Sequence, residues 1–482
     1  MLEKLFKLSE KKTTVKTEVL AGITTFLAMA YILAVNPGIL GDAGMPVESV
    51  FLATAIASGV SSILMGLVAN YPIALAPGMG VNALFAYTAC LTMGLSWQAA
   101  LAAVFVSGII FLLISITGIR KLVIDAIPKN LKLAIGAGIG FFIAFIGFKN
   151  AGIIISSEAT TVALGNLHDP QVLLAVYGLF LTIVLMGKKV NAGVFWGLVS
   201  TAIVGVIVTN FALVAWQVAL LGALVIAAVV LIKNETAVIG VTIAPLVLGL
   251  ILAVTGVSVQ TNILPSAIVS FNFSMPTFMA VFEGFGELFS HPSSIMIIFS
   301  FLFVDFFDTA GTLVAVGNDI GLVKENGEME GVEKALLVDS VGTVIGSVLG
   351  TSTVTSFVES GSGVAAGART GLAACTTGIL FLLSVFFSPL LSVITSAVTA
   401  PALIVVGILM AQQMKGIEWD KFEVATAGFF TIIAMVLCYS ISDGIALGFL
   451  TYTIACLGVG KGKDITPVLW VLDIIFLIYF ML

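Results

Sequence analysis

The sequence predicts an all-α polytopic membrane protein built from two sets of seven spans with opposite orientation, an inverted repeat, and an additional helical hairpin between them. Three observations predict this. Hydrophobic residues make up 60% of the 482-residue chain and charged residues 10%, with a mean hydropathy of +1.19, whereas soluble domains carry about 25% charged residues. Gly, Pro and charged clusters cut the chain into apolar runs of about 15 to 22 residues, close to the ~20 that cross a bilayer as helix. The third span of each set is interrupted, at matching places in the two halves.

The opening segment MLEKLFKLSEKKTTVKTE, residues 1–18, is basic and amphipathic and leads straight into a full-length apolar run. It reads as a cytoplasmic surface helix rather than a cleaved signal. Spans follow at about 19–40, 49–69, 73–92, 98–119, 131–149, 171–187 and 190–211, then a hairpin at 216–232 and 237–257. The second set falls at about 294–316, 335–349, 351–371, 373–390, 393–413, 424–441 and 443–459, with a hydrophobic tail at 467–482. Arg120, Lys121, Lys129, Lys132, Lys188, Lys189, Lys415, Lys421, Lys461 and Lys463 then share one side with the N-terminus, which the positive-inside rule makes cytoplasmic. The mixed loop Asp319–Lys334 joins them, while Asp42, Glu48, Glu158 and Asp169 collect on the other side.

Gly178, Lys189 and Gly205 recur as Gly222, Lys233 and Gly249, each 44 positions on. Duplication of the hairpin and chance alignment of two apolar hairpins both explain three matches. Either way the hairpin adds two spans, so an odd number still precedes Ser293 and the two sets run in opposite orientation, as an inverted repeat requires.

Several function classes are excluded. Cys90, Cys375, Cys438 and Cys456 show no CxxC spacing and suggest neither disulfides nor a zinc site. The net charge of -6 is spread over short loops, and with no basic stripe interleaved with aromatics nucleic acid is not a partner. GxSxG, HExxH and GxxxxGK[ST] are absent, so the chain is read as no enzyme and no ATP-driven pump, with no cofactor. His168 and His291 fall in outer loops and form no metal or catalytic cluster. Asn36, before Pro37, is expected to end a helix, Asp339 to cap or pack near the start of its span, Asp443 to cap the helix it begins, and Asp473 to lie in the tail.

Three segments carry the functional signal. YPIALAPGMGVNALFAYT and LGTSTVTSFVESGSGVAAGART each begin extended and end helical: Pro72 and Pro77 disfavour helix before them, Pro77 suits a first turn, and Thr-Ser-Thr-Val-Thr favours a strand. Non-helical backbone at membrane depth survives only where protein or a cavity satisfies it, so paired breaks point to a substrate site with the helix starts near Gly78 and Ser360 aimed at it. Gly363, Gly367 and Gly371, spaced by four, let a neighbouring helix approach closely, and Gly78 and Gly80 serve either packing or exposure of backbone to a ligand. In FLFVDFFDTAGTLVAVG, Asp305 and Asp308 lie near one helix face. Buried ionisable groups face a cavity or pathway, which favours Asp308, with Gly311 leaving space beside it, while Asp305 is either functional or a solvated wall charge. Glu359 at the second break and Asn82 on the first half-helix complete the set, with Asp305 and Thr312 as subsidiary candidates. Two carboxylates, a carboxamide and backbone N–H groups enclosed by Phe and small residues suit a flat polar molecule with several donors and acceptors, such as a nucleobase, and offer a proton site.

The stretches ALAPGMGVNALFAY, FDTAGTLVAVG and TSTVTSFVESGSGVAAGARTGL, together with VLAGITTFLAMAYILAVNP, NLKLAIGAGIGFFIAFIG, IEWDKFE and SISDGIALGF, resemble the azaguanine-type hypoxanthine/guanine/adenine permeases, a branch of the nucleobase–cation symporter superfamily. The resemblance runs over most of the chain. It implies a proton-coupled purine transporter of a prokaryotic plasma membrane, with seven-plus-seven architecture and core and gate domains. The base would be bound by Asp308 and Glu359, by Pro77, Gly78, Gly80 and Asn82 of the first break, and by main chain near Val358. The implied division is a cytoplasmic segment 1–18, core 19–130, gate 131–211, additional hairpin and outer loop 212–292, second core 293–390, second gate 391–460 and tail 461–482. A homodimer, typical of related transporters, is implied too. The hairpin 216–257 exceeds the family's usual complement before the eighth span, and it is expected outside the gate, within it, or at a dimer contact. The rival readings are an uncoupled facilitator or channel, and a xanthine, urate or pyrimidine (uracil) carrier of the same superfamily.

Overall fold

The computed structural model describes residues 2–117, 127–254, 265, 267–320, 329 and 331–481. Among these, ten helices are long and apolar enough to cross a membrane, and five shorter apolar helices accompany them. The N-terminal segment 1–18 is not one helix: Leu2–Phe6 (α1) is helical, the helix of the first span already begins at Val15, and Phe6 and Leu8 are buried against Leu372 and Cys375.

The first span is two helices, Val15–Met29 (α2) and Ile32–Asp42 (α3), and Asn36 does not end either of them. Pro37 lies inside α3, where it has no N–H to give and its ring crowds the carbonyl one turn back. The two helices meet six residues before Pro37, at Ala30 and Tyr31, and the Tyr31 side chain is 1% exposed. Val47–Leu64 (α4) then closes with a π-turn to Ala69 and a left-handed Asn70.

Both interrupted spans begin as strands. Leu75–Pro77 (β1) leads into Met79–Ala83 (α5), capped by Gly78 and continued by a π-helix to Thr92, so Pro77 ends the strand rather than opening the helix. Trp97–Thr117 (α6) and Lys129–Asn150 (α7) follow, and the extension of α6 to residue 119 lies outside the described residues. An exposed β-hairpin, Ile154–Ser157 (β2) with Thr161–Leu164 (β3), departs from the all-helical expectation. Pro170–Gly187 (α8), capped by Asp169, and Gly193–Asn210 (α9) complete the first set.

The additional hairpin is present. Its first arm is Ala215–Leu231 (α10), and its second is divided before Pro245 into Glu235–Ile243 (α11) and Pro245–Val254 (α12). It stacks on its predecessor: α10 packs on α8 and α11 on α9. Lys188 Nζ donates to Ile232 O at 2.6 Å, and Glu235 Oε1 accepts from Asn191 N at 2.8 Å.

In the second set, Phe285–Ser290 (α13) precedes Ser294–Asp319 (α14) and Val332–Leu349 (α15). The tenth span is Val354–Ser356 (β4) and a short helix Ser360–Ala365 (α16). The expected run of glycines on one helix face is therefore not one face: Gly367 sits in the following turn at φ +110°, whereas Gly363 lies against Thr25 and the Ala21 carbonyl. Gly371–Ser384 (α17) ends in a 3₁₀ stretch through Pro389, and Ser396–Ala411 (α18), Phe422–Leu437 (α19), Ile441–Gly458 (α20) and Pro467–Met481 (α21) close the chain. The cap of α20 is Ser440, not Asp443, whose carboxylate instead accepts from Tyr479 Oη at 2.7 Å. Asp473 is buried and accepts from Thr453 at 2.5 Å, which ties the tail α21 to α20.

Packing of α7 on α18 is close because glycines line it. A Cβ on Gly140 would stand 2.6 Å from Met410 Cβ and 2.9 Å from Gly407 O, and one on Gly147 would stand 3.0 Å from Ala400 O. Small residues permit this backbone approach in membrane helices. At the centre, β1 and β4 pair antiparallel with Leu75 opposite Ser356, Ala76 opposite Thr355 and Pro77 opposite Val354.

Candidate functional site

A two-stranded sheet at membrane depth has two outer edges that must find partners, since unsatisfied backbone in hydrocarbon costs several kcal/mol, on the order of 2–7 per group. Hydroxyls cover both. On the β1 edge, Leu75 N donates to Ser62 Oγ at 2.9 Å and Ser62 Oγ donates to Leu75 O at 3.1 Å. On the β4 edge, Thr343 Oγ1 donates to Val354 O at 3.2 Å and Ser356 N donates to Thr309 Oγ1 at 3.3 Å. Pairing continues past the strands through Gly78 N to Thr353 O and Phe357 N to Ala74 O, both 3.0 Å. The Ser and Thr residues around the breaks thus hold an extended backbone in place.

A cleft of about 70 Å³ opens where the two strands give way to their half-helices. Tyr31, Gly78, Met79, Gly80, Asp308, Thr312 and the chain from Thr355 to Glu359 line it, and Val406 and Met410 of α18 close it. Asp308 and Glu359 are both half-buried, and Val358 is 54% exposed. Tyr31 donates its hydroxyl to Glu359 Oε1 at 2.5 Å. The arrangement places two carboxylates and a phenol beside a wall of main chain, so the cleft offers acceptors at Asp308 and Glu359 that meet donors on a flat ligand.

Of the residues singled out from sequence, Asp308, Glu359, Val358, Gly78, Gly80 and Thr312 come together on this cleft. Pro77 and Asn82 stand behind it. Pro77 is the last paired residue of β1, and Asn82 is fully buried, donating to Pro77 O at 3.4 Å and accepting from Ser352 Oγ. Asp305 is buried one turn away and accepts from Thr343 Oγ1 at 3.0 Å. Asp339, expected to cap or pack near the start of its span, packs and does not cap: it lies inside α15, fully buried, and accepts from Thr309 at 2.8 Å and Ser356 Oγ at 3.1 Å. Asn36 bonds Thr54 and Thr351 at 2.7 and 2.8 Å, joining the first span to the start of the second break.

Tyr31, Val406 and Met410 were not found by sequence reasoning. Nothing in the sequence marks Tyr31, which stands at the junction of α2 and α3. Among the described residues no group of three His, Cys, Asp or Glu comes together to hold a metal ion.

A second, larger cavity, about 740 Å³, is a different space. It lies between α2, α3 and the 3₁₀ stretch after α17 on one side and α9 with Leu246 and Gly249 on the other, and apart from Tyr31, Asn210 and Ser384 its walls are apolar. Lacking convergent polar groups, it does not fit a polar ligand; the small cleft does. Tyr31 is shared by the two.

Comparison with known proteins gives consistent matches. The Xan_ur_permease model, a permease family, matches residues 16–447. Guanine/hypoxanthine permease PbuG of Bacillus subtilis is 46% identical over 99% of both chains, and guanine/hypoxanthine permease PbuO of the same organism 40% identical over 98% of this chain and 99% of its own. Adenine permease AdeP of Escherichia coli is 37% identical over 99% of this chain and 95% of its own. Among solved structures, the transmembrane domain of a cyanobacterial bicarbonate transporter, BicA, superposes with a TM-score of 0.52 at 15% identity over 92% of this chain and 97% of that one. The anion transporter SLC26A9 gives 0.53 at 10% identity over 93% and 67%. At such identities these two establish a shared fold and nothing about the substrate.

Proposed function

Because the chain belongs to the xanthine/uracil permease family, a family of membrane transporters rather than enzymes, we propose that it imports purine nucleobases, namely hypoxanthine, guanine and adenine, coupled to protons by alternating access. The observation that carries this reading is the convergence of Asp308 and Glu359, from two different spans, on one cleft at the crossed breaks. The relatives named for guanine, hypoxanthine and adenine support the purine. A purine presents ring N–H groups that a carboxylate accepts and ring nitrogens that main-chain N–H groups meet, and its flat faces suit a slot walled by Phe357, Val358 and Met410.

In this reading Asp308 and Glu359 hold the base, with Gly78, Gly80 and the main chain near Val358 against its edge and Pro77 and Asn82 fixing the break from behind. Glu359, and with it Asp308, takes up and releases the coupled proton. The cleft of about 70 Å³ is closed by α18, so entry of a base requires Val406 and Met410 to move away. Residues 19–130 and 293–390 then act as the core that carries the base, and residues 131–211 and 391–460 as the gate it moves against, with the hairpin stacked outside α8 and α9. The protein operates in a plasma membrane with its N-terminus in the cytoplasm, as a homodimer.

Equilibrium binding of labelled hypoxanthine to the purified protein, competed with guanine, adenine, xanthine and uracil, tests the substrate class. Displacement by guanine and adenine and not by uracil is expected; displacement by xanthine or uracil in preference to guanine and adenine overturns it.

A further inference from the structure

A second acidic pair lies behind the cleft. On α14, Thr309 follows Asp305 by one turn; on α15, Thr343 follows Asp339 by one turn. The two helices bring these faces together in reciprocal fashion, with Thr343 Oγ1 donating to Asp305 Oδ2 at 3.0 Å and Thr309 Oγ1 donating to Asp339 Oδ1 at 2.8 Å. Both threonines also reach β4: Thr309 accepts from Ser356 N, Thr343 shares its single hydroxyl proton between Asp305 and Val354 O, and Ser356 Oγ adds a bond to Asp339 at 3.1 Å. The four side chains form a clamp on the strand that leads to Glu359.

The clamp leaves one oxygen of each carboxylate over. Asp305 Oδ1 and Asp339 Oδ2 are buried and find no hydrogen-bond partner among the described residues, although the side chains are only 1% and 0% exposed. Each carboxylate is held by a threonine one turn from the other carboxylate, which sets the two acidic groups on facing helices, and Asp308 is the further carboxylate on α14. The elements packed against α14 and α15 also carry Glu48 on α4, Glu283 of the 3₁₀ turn Ala280–Glu283, Glu287 on α13, Glu359 before α16, Asp443 on α20 and Asp473 on α21, and α6 carries no Asp, Glu, Lys or Arg. Among the described residues neither Asp305 nor Asp339 has a Lys or Arg ion-pair partner. Two like charges so placed cannot both persist: a buried carboxylate is paired, or it gives up its charge by taking a proton.

We propose that Asp305 and Asp339 form a second proton-binding site, in which the pair holds a single exchangeable proton on one of its two unpartnered oxygens. Uptake of that proton takes the pair from two negative charges to one. Loss of the proton restores the repulsion, which is relieved by parting α14 from α15 and so loosening the grip on β4. The site is separate from the cleft and does not depend on which base the cleft holds.

The test is isotope-edited infrared spectroscopy on the full-length protein with ¹³C-labelled aspartate, in which a protonated carboxyl has a carbonyl band that the carboxylate lacks. The cleft carboxylates are first removed as Asp308→Asn and Glu359→Gln. A protonated aspartate band at neutral pH is expected to remain, and to lose the intensity of one carboxyl when either Asp305→Asn or Asp339→Asn is added. It is expected to titrate with pH and to ignore sodium. Because each single substitution is close to isosteric, either one suffices if the other fails to fold. A band left unchanged by both substitutions overturns the proposal, as does its replacement on addition of sodium at constant pH, which would make the pair a metal-cation site. Faster amide exchange at residues 354–356 in Asp339→Asn is the accompanying expectation; unchanged exchange would remove the link from the pair to the strand.

Discussion

The hydroxyl of Tyr31 donates to the carboxylate of Glu359 at 2.5 Å, joining the kink of the first span to the break of the tenth across 328 positions of chain. The bond orients Glu359 toward the cleft. Tyr31→Phe removes the donor and keeps the ring, and since hydrogen bonds to charged groups contribute about 1.5–3 kcal/mol, a loss of purine affinity of about tenfold or more is expected. Equilibrium binding measures it, with thermal unfolding of the same variant staying near that of the parent.

The two cleft carboxylates are expected to differ when substituted. Asp308→Ala leaves the base without one of its two acidic partners and should abolish measurable binding. Glu359→Gln keeps the shape and removes the titratable group, so accumulation driven by a proton gradient should fail while exchange of bound base for external base persists. Uptake and counterflow assays at matched expression separate the two; normal accumulation by both variants would show that the site lies elsewhere.

Helix α16 is seated by Gly363, whose added Cβ would stand 2.8 Å from the Ala21 carbonyl and collide with Thr25 Oγ1. The backbone of α2 cannot yield as a flexible side chain would. Overpacking of this kind costs about 1–3 kcal/mol, so Gly363→Ala should lower the unfolding temperature of the protein in nanodiscs. Gly361→Ala, where a Cβ meets nothing within 4 Å, should not.

Just before α6, the Ser96 hydroxyl and backbone N–H hold the Glu287 carboxyl below its usual range, with bonds of 2.5 and 2.8 Å. A carboxylate whose folded-state value is depressed adds stability above the unfolded value, about 4.3 for glutamate, and loses that contribution as pH falls through the lower, folded one. Acidification through that lower value should therefore release α13 from the start of α6. In Glu287→Gln that part of the pH dependence of thermal unfolding should vanish, with the exposed position keeping the effect small.

Much of this was legible in the sequence because the bilayer is a demanding solvent. Apolar length announced the spans, and extended backbone at membrane depth made the breaks at Pro77 and Val354 readable from proline and β-branched residues. Asp308 and Glu359 stood out because charge at that depth is rare. What was hidden depends on how spans are turned toward one another. Tyr31 looks like an ordinary aromatic until the fold sets the junction of α2 and α3 beside Glu359, and Asp339, read as capping or packing, shows its partners only when α15 is set against α14 and Thr309 reaches it. Val406 and Met410 are apolar residues in an apolar helix, and nothing in their identity marks them as the wall of the cleft. The glycines at 363, 367 and 371 kept their spacing but not their helix, because a turn at Gly367 intervenes.

The central claim, proton-driven import of purines through the cleft of Asp308 and Glu359, is tested most directly by uptake of labelled hypoxanthine into proteoliposomes with and without an inwardly directed proton gradient. Accumulation above the external concentration that depends on the gradient, is blocked by excess guanine or adenine and is lost in Glu359→Gln is the predicted result. Uptake that only equilibrates and is indifferent to the gradient would contradict it and make the protein an uncoupled facilitator.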